Sequence, residues 1–228
     1  MLLNFDLVGA DGSNESIQVS VDHCIVAGWA GRDRDAIEHH ILELAELGVP
    51  RPSDVPLYYR IATNQLVQSS RVQVVGPHSS GEAEVLVFNH NNELCVSLAS
   101  DHTDRALEAH SVALSKQICV KPTAQQAWRY SDVAAHWDEL ILRAWILEEG
   151  QEVAYQDGAV ATLLHPIDLI KKHFGQDHLP NQTAMTCGTV ATIGSIRPAA
   201  QFTMELYDPR LERSIRHTYD IEFLPEIA

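Results

Sequence analysis

The 228-residue sequence has few basic residues, only four cysteines and no long hydrophobic run. Lys and Arg number 16 against 31 Asp and Glu, and the formal net charge of −15 leaves no basic stripe for nucleic acid. The same deficit argues against docking on anionic lipid. No apolar run approaches the roughly 20 residues that span a bilayer, and Asp6 and Asp11 stand where a secretory signal needs basic and apolar residues. We therefore expect a cytoplasmic protein that binds neither nucleic acid nor a membrane.

Familiar catalytic and metal-binding motifs are also missing. The cysteines form no C-x-x-C pair, which excludes a zinc ribbon or a thioredoxin motif, and we expect four free, buried thiols. The twelve histidines include no H-E-x-x-H spacing. The absence of G-x-S-x-G, G-x-G-x-x-G and G-x-x-x-x-G-K-[ST] argues against a serine hydrolase, a dinucleotide-binding domain and a P-loop enzyme.

The hydrophobic pattern predicts more strands than helices. Apolar residues alternate with polar ones in residues 1–30 and in the tail from Phe202 to Phe223, and residues 138–155 indicate two strands joined by a Glu-Gly turn. Helices are predicted over 33–47, over 103–116 with Leu107, Ala113 and Leu114 buried, and over 166–174. The expected fold class is therefore α+β and β-rich, with a few short helices.

The most informative segment is the predicted hairpin from Glu82 to Ser100, which Asp101 follows directly. Because strand side chains alternate between faces, Glu82 and Glu84 point the same way. A two-residue loop at Asn91-Asn92 sets Glu84 opposite Ala99 and Glu82 opposite Asp101. All three carboxylates then share one face, whereas a loop of odd length would separate them. Clustered carboxylates repel one another, and a divalent cation such as Mg²⁺, Mn²⁺ or Ca²⁺ relieves that repulsion.

Other interpretations of this segment remain open at the level of sequence. The acids could be a solvated edge face, or they could form a salt-bridge network with Arg105 and Lys116. The D-H-x-D run that begins at Asp101 could bind metal through His102 and Asp104. Alternatively, Asp101 or Thr103 could cap the helix that follows.

Several segments resemble, in order, the motifs of the fumarylacetoacetate hydrolase superfamily. The stretches E-A-E-V-L-V-F and S-D-H-T-D-R-A-L-E resemble its metal-binding segments. The stretch A-L-S-K-Q-I-C-V-K-P resembles its lysine segment, and M-T-C-G-T-V-A-T-I-G-S-I-R-P resembles its glycine-threonine loop. The resemblance covers residues from about 30 to 225 and implies a mixed β-sheet roll. It implies a single catalytic domain that spans residues 1–228, with 1–30 as a small β extension and 31–228 as the core. It also implies that the protein belongs to a divergent bacterial branch of the superfamily.

The resemblance also implies roles for individual residues. It makes Glu82, Glu84 and Asp101 the metal ligands and Lys116 the active-site lysine. Substrate contacts are expected from four residues: Arg105, Glu108, Thr189 and Arg60. On the 33–47 helix, His40 and Glu43 resemble the pair that activates water, and His39 is the competing histidine.

The implied activity is a divalent-metal-dependent reaction on a small 2-oxo or 1,3-dioxo carboxylic acid. Hydrolysis of a C–C bond is the first expectation, with Mg²⁺ or Mn²⁺ as cofactor and Ca²⁺ as a further possibility. Without an activated water, the same site would support decarboxylation, isomerisation or dehydration. A catalytically inactive relative that serves as a binding or scaffold subunit is the alternative from another class. The resemblance further implies a homodimer.

Overall fold

The computed structural model describes residues 1–46 and 51–227. The strands, in chain order, are β1 (Leu2–Val8), β2 (Asn14–Ser20), β3 (His23–Gly28), β4 (Leu57–Ile61), β5 (Leu66–Val67), β6 (Arg71–Val75), β7 (Ser79–Ser80), β8 (Ala83–His90), β9 (Glu93–Ser100), β10 (Thr103–Asp104), β11 (Lys121–Pro122), β12 (Gln126–Arg129), β13 (Ile141–Glu148), β14 (Gln151–Ala159), β15 (Thr183–Thr189), β16 (Gln201–Asp208) and β17 (Arg213–Leu224). The α-helices are α1 (Arg34–Glu46), α2 (Arg105–Glu108), α3 (Val112–Gln117), α4 (Tyr130–Val133) and α5 (Pro166–Phe174). Short 3₁₀ helices lie at Thr63–Gln65, Ala134–Glu139 and Val160–Thr162.

Two mixed sheets carry most of these strands. The larger has the order β2-β1-β12-β9-β8-β15-β3-β4, and the smaller has the order β14-β13-β16-β17-β6. Within them β1 and β12, β15 and β3, and β17 and β6 run parallel, and the other neighbours run antiparallel. The predicted α+β, β-rich class is confirmed.

The main hydrophobic core fills the space between the two sheets. It combines residues of the large sheet, such as Val85 and Leu98, with residues of the small sheet, such as Leu142 and Met204. The alternation in β13 explains how this core forms, because Leu142, Ala144 and Ile146 are buried while the residues between them are half-buried.

A second core lies on the other face of the large sheet. Phe5 of β1 stacks on Phe88 of β8, with ring centroids 4.3 Å apart. Two strands separate β1 from β8, so a flat sheet would hold these strands about 14 Å apart. The large sheet therefore curls around this core, which is the roll that the resemblance implied. Strand β8 lies between both cores and is buried along nearly its whole length.

The predicted helix over 103–116 is interrupted in the structure. Residues 103–104 form β10, and the helical part divides into α2 and α3. The expectation that Ala113 and Leu114 are buried is wrong, because both are exposed and Leu107 is only half-buried. Helix α3 instead buries Ser115 and Lys116, so its inward face is polar.

Other predictions about the chain agree with the structure. The helices α1 and α5 match the predicted ranges within the described residues, and a turn at Glu149 and Gly150 joins β13 to β14. All four cysteines are free and buried. Among the described residues, no helix is long and apolar enough to cross a membrane.

Candidate metal centre

The β8–β9 hairpin has the register predicted from the sequence. His90 pairs with Glu93, Glu84 pairs with Ala99, and the backbone N–H of Asp101 donates to the carbonyl oxygen of Glu82 over 2.9 Å. The turn residues Asn91 and Asn92 have φ values of 52° and 65°, a conformation that asparagine tolerates better than most residues. The turn chemistry therefore determines which residues face one another at the far end of the hairpin.

This register brings three carboxylates together. Glu82, Glu84 and Asp101 each offer an oxygen atom, and these oxygens lie within 4.8 Å of one another. Glu84 and Asp101 are buried, and Glu82 is half-buried. Ion-free carboxylates at this spacing repel strongly in a low-dielectric interior, so the cluster needs positive charge nearby.

Part of that charge comes from two of the predicted site residues. The Arg105 guanidinium lies 2.9 Å from Glu82 and 3.0 Å from Glu108, and its Nε donates to Ser80 Oγ over 2.7 Å. The Lys116 ammonium pairs with Asp101. The salt-bridge network considered from the sequence is therefore present, and it uses the same acids as the candidate metal site.

Short helices place these two cations. The Asp104 carboxylate accepts the N–H of Leu107 over 2.8 Å and caps α2, so Arg105 begins a helix beside the hairpin end. The Ser111 hydroxyl caps α3, which carries Lys116 on its buried face. The expectation that Asp101 or Thr103 provides the cap is wrong, and this correction leaves the Asp101 carboxylate directed to the cluster.

The two buried carboxyls differ in protonation because their surroundings differ. Burial raises the pKa of Glu84 to about 8, and the charge of Asp101 adds to this increase. Burial also acts to raise the pKa of Asp101, but the charges of Lys116 and Lys121 outweigh it and lower that pKa to about 2. At neutral pH Asp101 is ionised, whereas Glu84 keeps its proton until a metal cation binds.

Backbone geometry at the glycine-threonine loop holds Glu84. The N–H of Gly188 donates to Glu84 Oε2 over 3.0 Å. Gly188 has a φ of 90°, and a Cβ atom there would lie 2.8 Å from the Cβ of Ala30, so both conformation and space require glycine. The loop therefore supports a candidate ligand through its main chain.

The hydroxyl of Thr189 both donates and accepts a hydrogen bond within the protein. It donates to the carbonyl oxygen of Ala83 over 2.7 Å and accepts from Gln156 Nε2 over 2.7 Å. Gln156 also donates to the carbonyl of Val190 and accepts from the N–H of Ala83. The structure thus places Thr189 beside the hairpin, where its hydroxyl joins the loop to β8.

The remaining predicted site residues lie elsewhere or in a more exposed setting. Arg60 is exposed, and its guanidinium lies near the carbonyl of Asp22 and the ring of His23. The neighbouring Tyr59 is the residue of β4 that faces the cluster, with its ring centroid 5.8 Å from Lys116 Nζ. Strand alternation therefore directs Arg60 to the opposite side of β4.

The predicted water-activating pair lies on α1. Glu43 is exposed, and His39 Nδ1 lies 3.4 Å from its carboxylate, in the i,i+4 arrangement. His40 is part of α1, and the structure describes only its backbone.

His102 and Asp104 do not join the carboxylate cluster in the described residues. His102 is fully buried edge-on to Tyr219, with ring centroids 6.0 Å apart, and neither ring nitrogen has a hydrogen-bond partner within the described chain. Burial, together with the charges of Lys121 and Arg105, lowers the pKa of His102 to about 3. His102 is accordingly a neutral residue of the interior.

Sequence reasoning missed Lys121, Gln156 and Tyr59. Lys121 had one available signal, because it is a charged residue within the apolar run I-C-V-K-P. No sequence signal marks Gln156. A register shift between β13 and β14 directs its side chain inward and also buries the adjacent Tyr155.

The cluster has the donor chemistry of a divalent-cation site. Three carboxylates without thiol or imidazole suit Mg²⁺, Mn²⁺ or Ca²⁺. The buried Oδ1 of Asp101 accepts no hydrogen bond of good geometry within the described chain, and the Lys121 ammonium faces it from 3.3 Å, so the oxygen retains a lone pair for an ion. The residues present therefore fit such an ion.

Comparisons with known proteins agree with the fold. A family model described as a protein of unknown function (DUF2848) matches residues 27–219, and the chain belongs to this family. None of the proteins of curated function matches the sequence.

Solved structures with the same fold are distant in sequence. A crystal structure of Cg1458 with inhibitor has a TM-score of 0.66 at 12% identity, covering 98% of this chain and 90% of that chain. A 2-keto-3-deoxy-D-arabinonate dehydratase complexed with magnesium and 2,5-dioxopentanoate has a TM-score of 0.64 at 14% identity, covering 91% of this chain and 75% of that chain. These similarities establish that the chain has the roll of the fumarylacetoacetate hydrolase type.

Proposed function

We propose that this chain is a divalent-cation-dependent enzyme of the fumarylacetoacetate hydrolase superfamily that acts on a small 2-oxo or 1,3-dioxo carboxylic acid. The observation that carries the proposal is the triad of Glu82, Glu84 and Asp101, whose oxygens lie within 4.8 Å of one another. We assign the whole of 1–228 to one catalytic domain, with 1–30 as its β extension.

The three carboxylates would hold the ion, with Mg²⁺ or Mn²⁺ preferred and Ca²⁺ as a weaker candidate. When bound, such an ion polarises neighbouring substrate oxygens and stabilises the negative charge that develops on them. A 2-oxo acid suits this chemistry because its carbonyl and carboxylate oxygens are adjacent.

Lys116 and Arg105 would bind and orient the anionic substrate. Burial opposes charge on Lys116, but Asp101 and Glu82 outweigh it and raise its pKa, so the side chain is an ammonium at neutral pH. It can donate a hydrogen bond or a proton, but it cannot act as a base. The Arg105 guanidinium is partly accessible and can exchange Glu108 for a substrate carboxylate, with which it forms two parallel hydrogen bonds.

The Thr189 loop and helix α1 would complete the site. Thr189 can offer its hydroxyl to a substrate carboxylate only by giving up its bond to Ala83. On α1 we assign water activation to His40 with Glu43, and His39 is the competitor because it already lies 3.4 Å from Glu43. Arg60 stays a predicted substrate contact that would need to reach the site from the far side of β4.

Dehydration is as well supported as hydrolysis. Similarity in fold to the magnesium-complexed dehydratase supports loss of water from a 2-keto-3-deoxy acid as the reaction of this chain. Both hydrolysis and dehydration develop negative charge on the 2-oxo oxygen, which the same site would stabilise. A substrate panel separates them, with acylpyruvates, oxaloacetate and ring-cleavage diketo acids for C–C cleavage and 2-keto-3-deoxy sugar acids for dehydration. Two carboxylic products identify hydrolysis, and one product lighter by a water identifies dehydration.

An inactive binding or scaffold subunit is the second candidate function. It is favoured by the ion pairs of Arg105, Lys116 and Lys121, which already neutralise much of the cluster without any ion. This candidate predicts that no member of the panel is consumed with either Mg²⁺ or Mn²⁺ present.

The deciding experiment measures Mg²⁺ and Mn²⁺ binding by calorimetry. We expect the double variant Glu82→Gln/Glu84→Gln to lose about 100-fold or more in affinity, because two anionic ligands are removed. Glu93→Gln is the matched control, since Glu93 lies in the same hairpin but pairs with Arg129 at the surface. Equal binding by the wild type and the double variant would contradict the proposal.

The resemblance also supports a homodimer in the cytoplasm with a small oxo-acid as its substrate. Light scattering of the purified protein checks the dimer, and fractionation of the source cells checks the location.

A further inference from the structure

A second lysine lies behind the carboxylate cluster. Lys121, at the start of β11, has no exposed surface. Its Nζ lies 3.3 Å from Asp101 Oδ1, donates to the carbonyl of Lys116 over 2.7 Å, and donates to the carbonyl of His102. Three oxygens from three different residues therefore surround one nitrogen atom.

Burial lowers the pKa of Lys121 while the charge of Asp101 acts to raise it, and the surrounding oxygens favour the charged form. An ammonium has three N–H donors and no acceptor, which matches three surrounding oxygens. A neutral amine would direct its lone pair at one of those oxygens and leave a buried repulsive contact. The geometry thus indicates a positive charge on Lys121, beside Asp101.

Lys121 differs from the other two cations of the site in its accessibility. The side chains of Arg105 and Lys116 retain 20% and 8% of their exposure, so a bound substrate can reach them, whereas the side chain of Lys121 retains 0%. When an anionic substrate engages Arg105 and Lys116, Lys121 remains paired with Asp101. The ion-bound triad, from which Glu84 has released its proton, then keeps the positive charge of Lys121 beside it.

We propose that Lys121 is a positioning residue that anchors Asp101 and adds one fixed positive charge to the triad, so that the site favours a divalent over a trivalent cation. This inference rests on the proposed function, because it assumes that the triad binds a cation. The charge acts through Asp101 and reaches no substrate atom.

The test compares the affinities for Tb³⁺ and Mg²⁺, each measured with the metal alone on the full chain by calorimetry. Removing one positive charge strengthens the binding of a trivalent ion more than that of a divalent ion. We expect the ratio of Tb³⁺ to Mg²⁺ affinity to rise by about tenfold or more in Lys121→Met. If Lys121→Met does not fold, Lys121→Gln replaces it, because glutamine is neutral but keeps two N–H donors for the surrounding oxygens. The same rise in the ratio is expected.

Two controls separate charge from packing. Lys121→Arg keeps the charge and should leave the ratio near its wild-type value. Cys119→Ala removes a buried side chain from the same segment without changing charge, so it should also leave the ratio unchanged. A merely structural role for Lys121 would weaken both ions equally and would not move the ratio.

The outcomes distinguish this inference from the proposed function. A raised ratio in a neutral variant supports the role of Lys121. If the wild type binds Mg²⁺ and the neutral variants keep its ratio, the role of Lys121 is wrong and the proposed function stands. If the wild type binds neither ion, both are wrong.

Discussion

The hairpin β8–β9 and the helix α1 both carry predicted site residues, but the fold holds them very differently. Phe88 and Leu98 of the hairpin have no exposed surface, and strands of the large sheet flank it on both sides. On α1, Ile41 is buried, whereas Leu42 is 55% exposed and Ala45 is exposed. The half of the site proposed to bind the ion is therefore tightly packed, while the half proposed to activate water lies on a weakly packed surface helix.

The largest expected effect concerns the function assigned to α1. His40→Ala should lower kcat by about 10²–10⁴ while leaving Mg²⁺ affinity nearly unchanged, because a general base acts on water and holds no ion. His39→Ala is the matched variant on the same helix turn. Steady-state kinetics with the substrate found in the panel decides between them. A strong loss in His39→Ala with normal turnover in His40→Ala would reverse the assignment.

The second prediction tests the difference in packing. Phe88→Ala should reduce the free energy of unfolding by about 3–5 kcal/mol, because it opens a cavity beside Phe5 in a close-packed core. Leu42→Ala on α1 should change it by less than about 0.5 kcal/mol, since most of that side chain is exposed. Denaturant unfolding of the cation-free protein measures both. Similar losses in the two variants would remove the contrast between hairpin and helix.

The third prediction uses the protonation of the hairpin. With its pKa near 8, Glu84 is protonated at neutral pH without an ion, and a cation must displace that proton to use the carboxylate. Mg²⁺ affinity should therefore fall as pH decreases below 8, by about tenfold per pH unit. Calorimetry between pH 6 and 8, in buffers of different ionisation enthalpy, measures both the affinity and the proton released. An affinity independent of pH over this range would show that Glu84 is ionised already.

The smallest effect concerns the turn that sets the hairpin register. Asn92→Ala should destabilise the protein by about 1 kcal/mol, because alanine tolerates the positive φ less well, and Asn92→Gly should be neutral or stabilising. Thermal unfolding of the two variants gives the comparison. Equal stability of the alanine and glycine variants would mean that the positive φ at residue 92 does not penalise alanine.

The hairpin shows which parts of the site were predictable. Alternation of side chains places Glu82 and Glu84 on one face, and a two-residue asparagine turn sets Asp101 opposite Glu82. Helix α3 shows the limit, because its sequence suggested burial of Ala113 and Leu114, yet it buries Lys116. An ion pair with Asp101 outweighs the hydrophobic pattern there, and that partner lies 15 residues earlier, directly after β9.

The sequence alone determined the β-rich class, the hairpin register and the grouping of three carboxylates, since strand period and turn chemistry act between near neighbours. Only the tertiary structure decided that Lys121 supports Asp101, that Gln156 joins Thr189 to β8, and that Arg60 faces away from the cluster. These contacts depend on how the sheet curls and on one register shift between strands, and such long-range packing leaves no periodic signal in the chain.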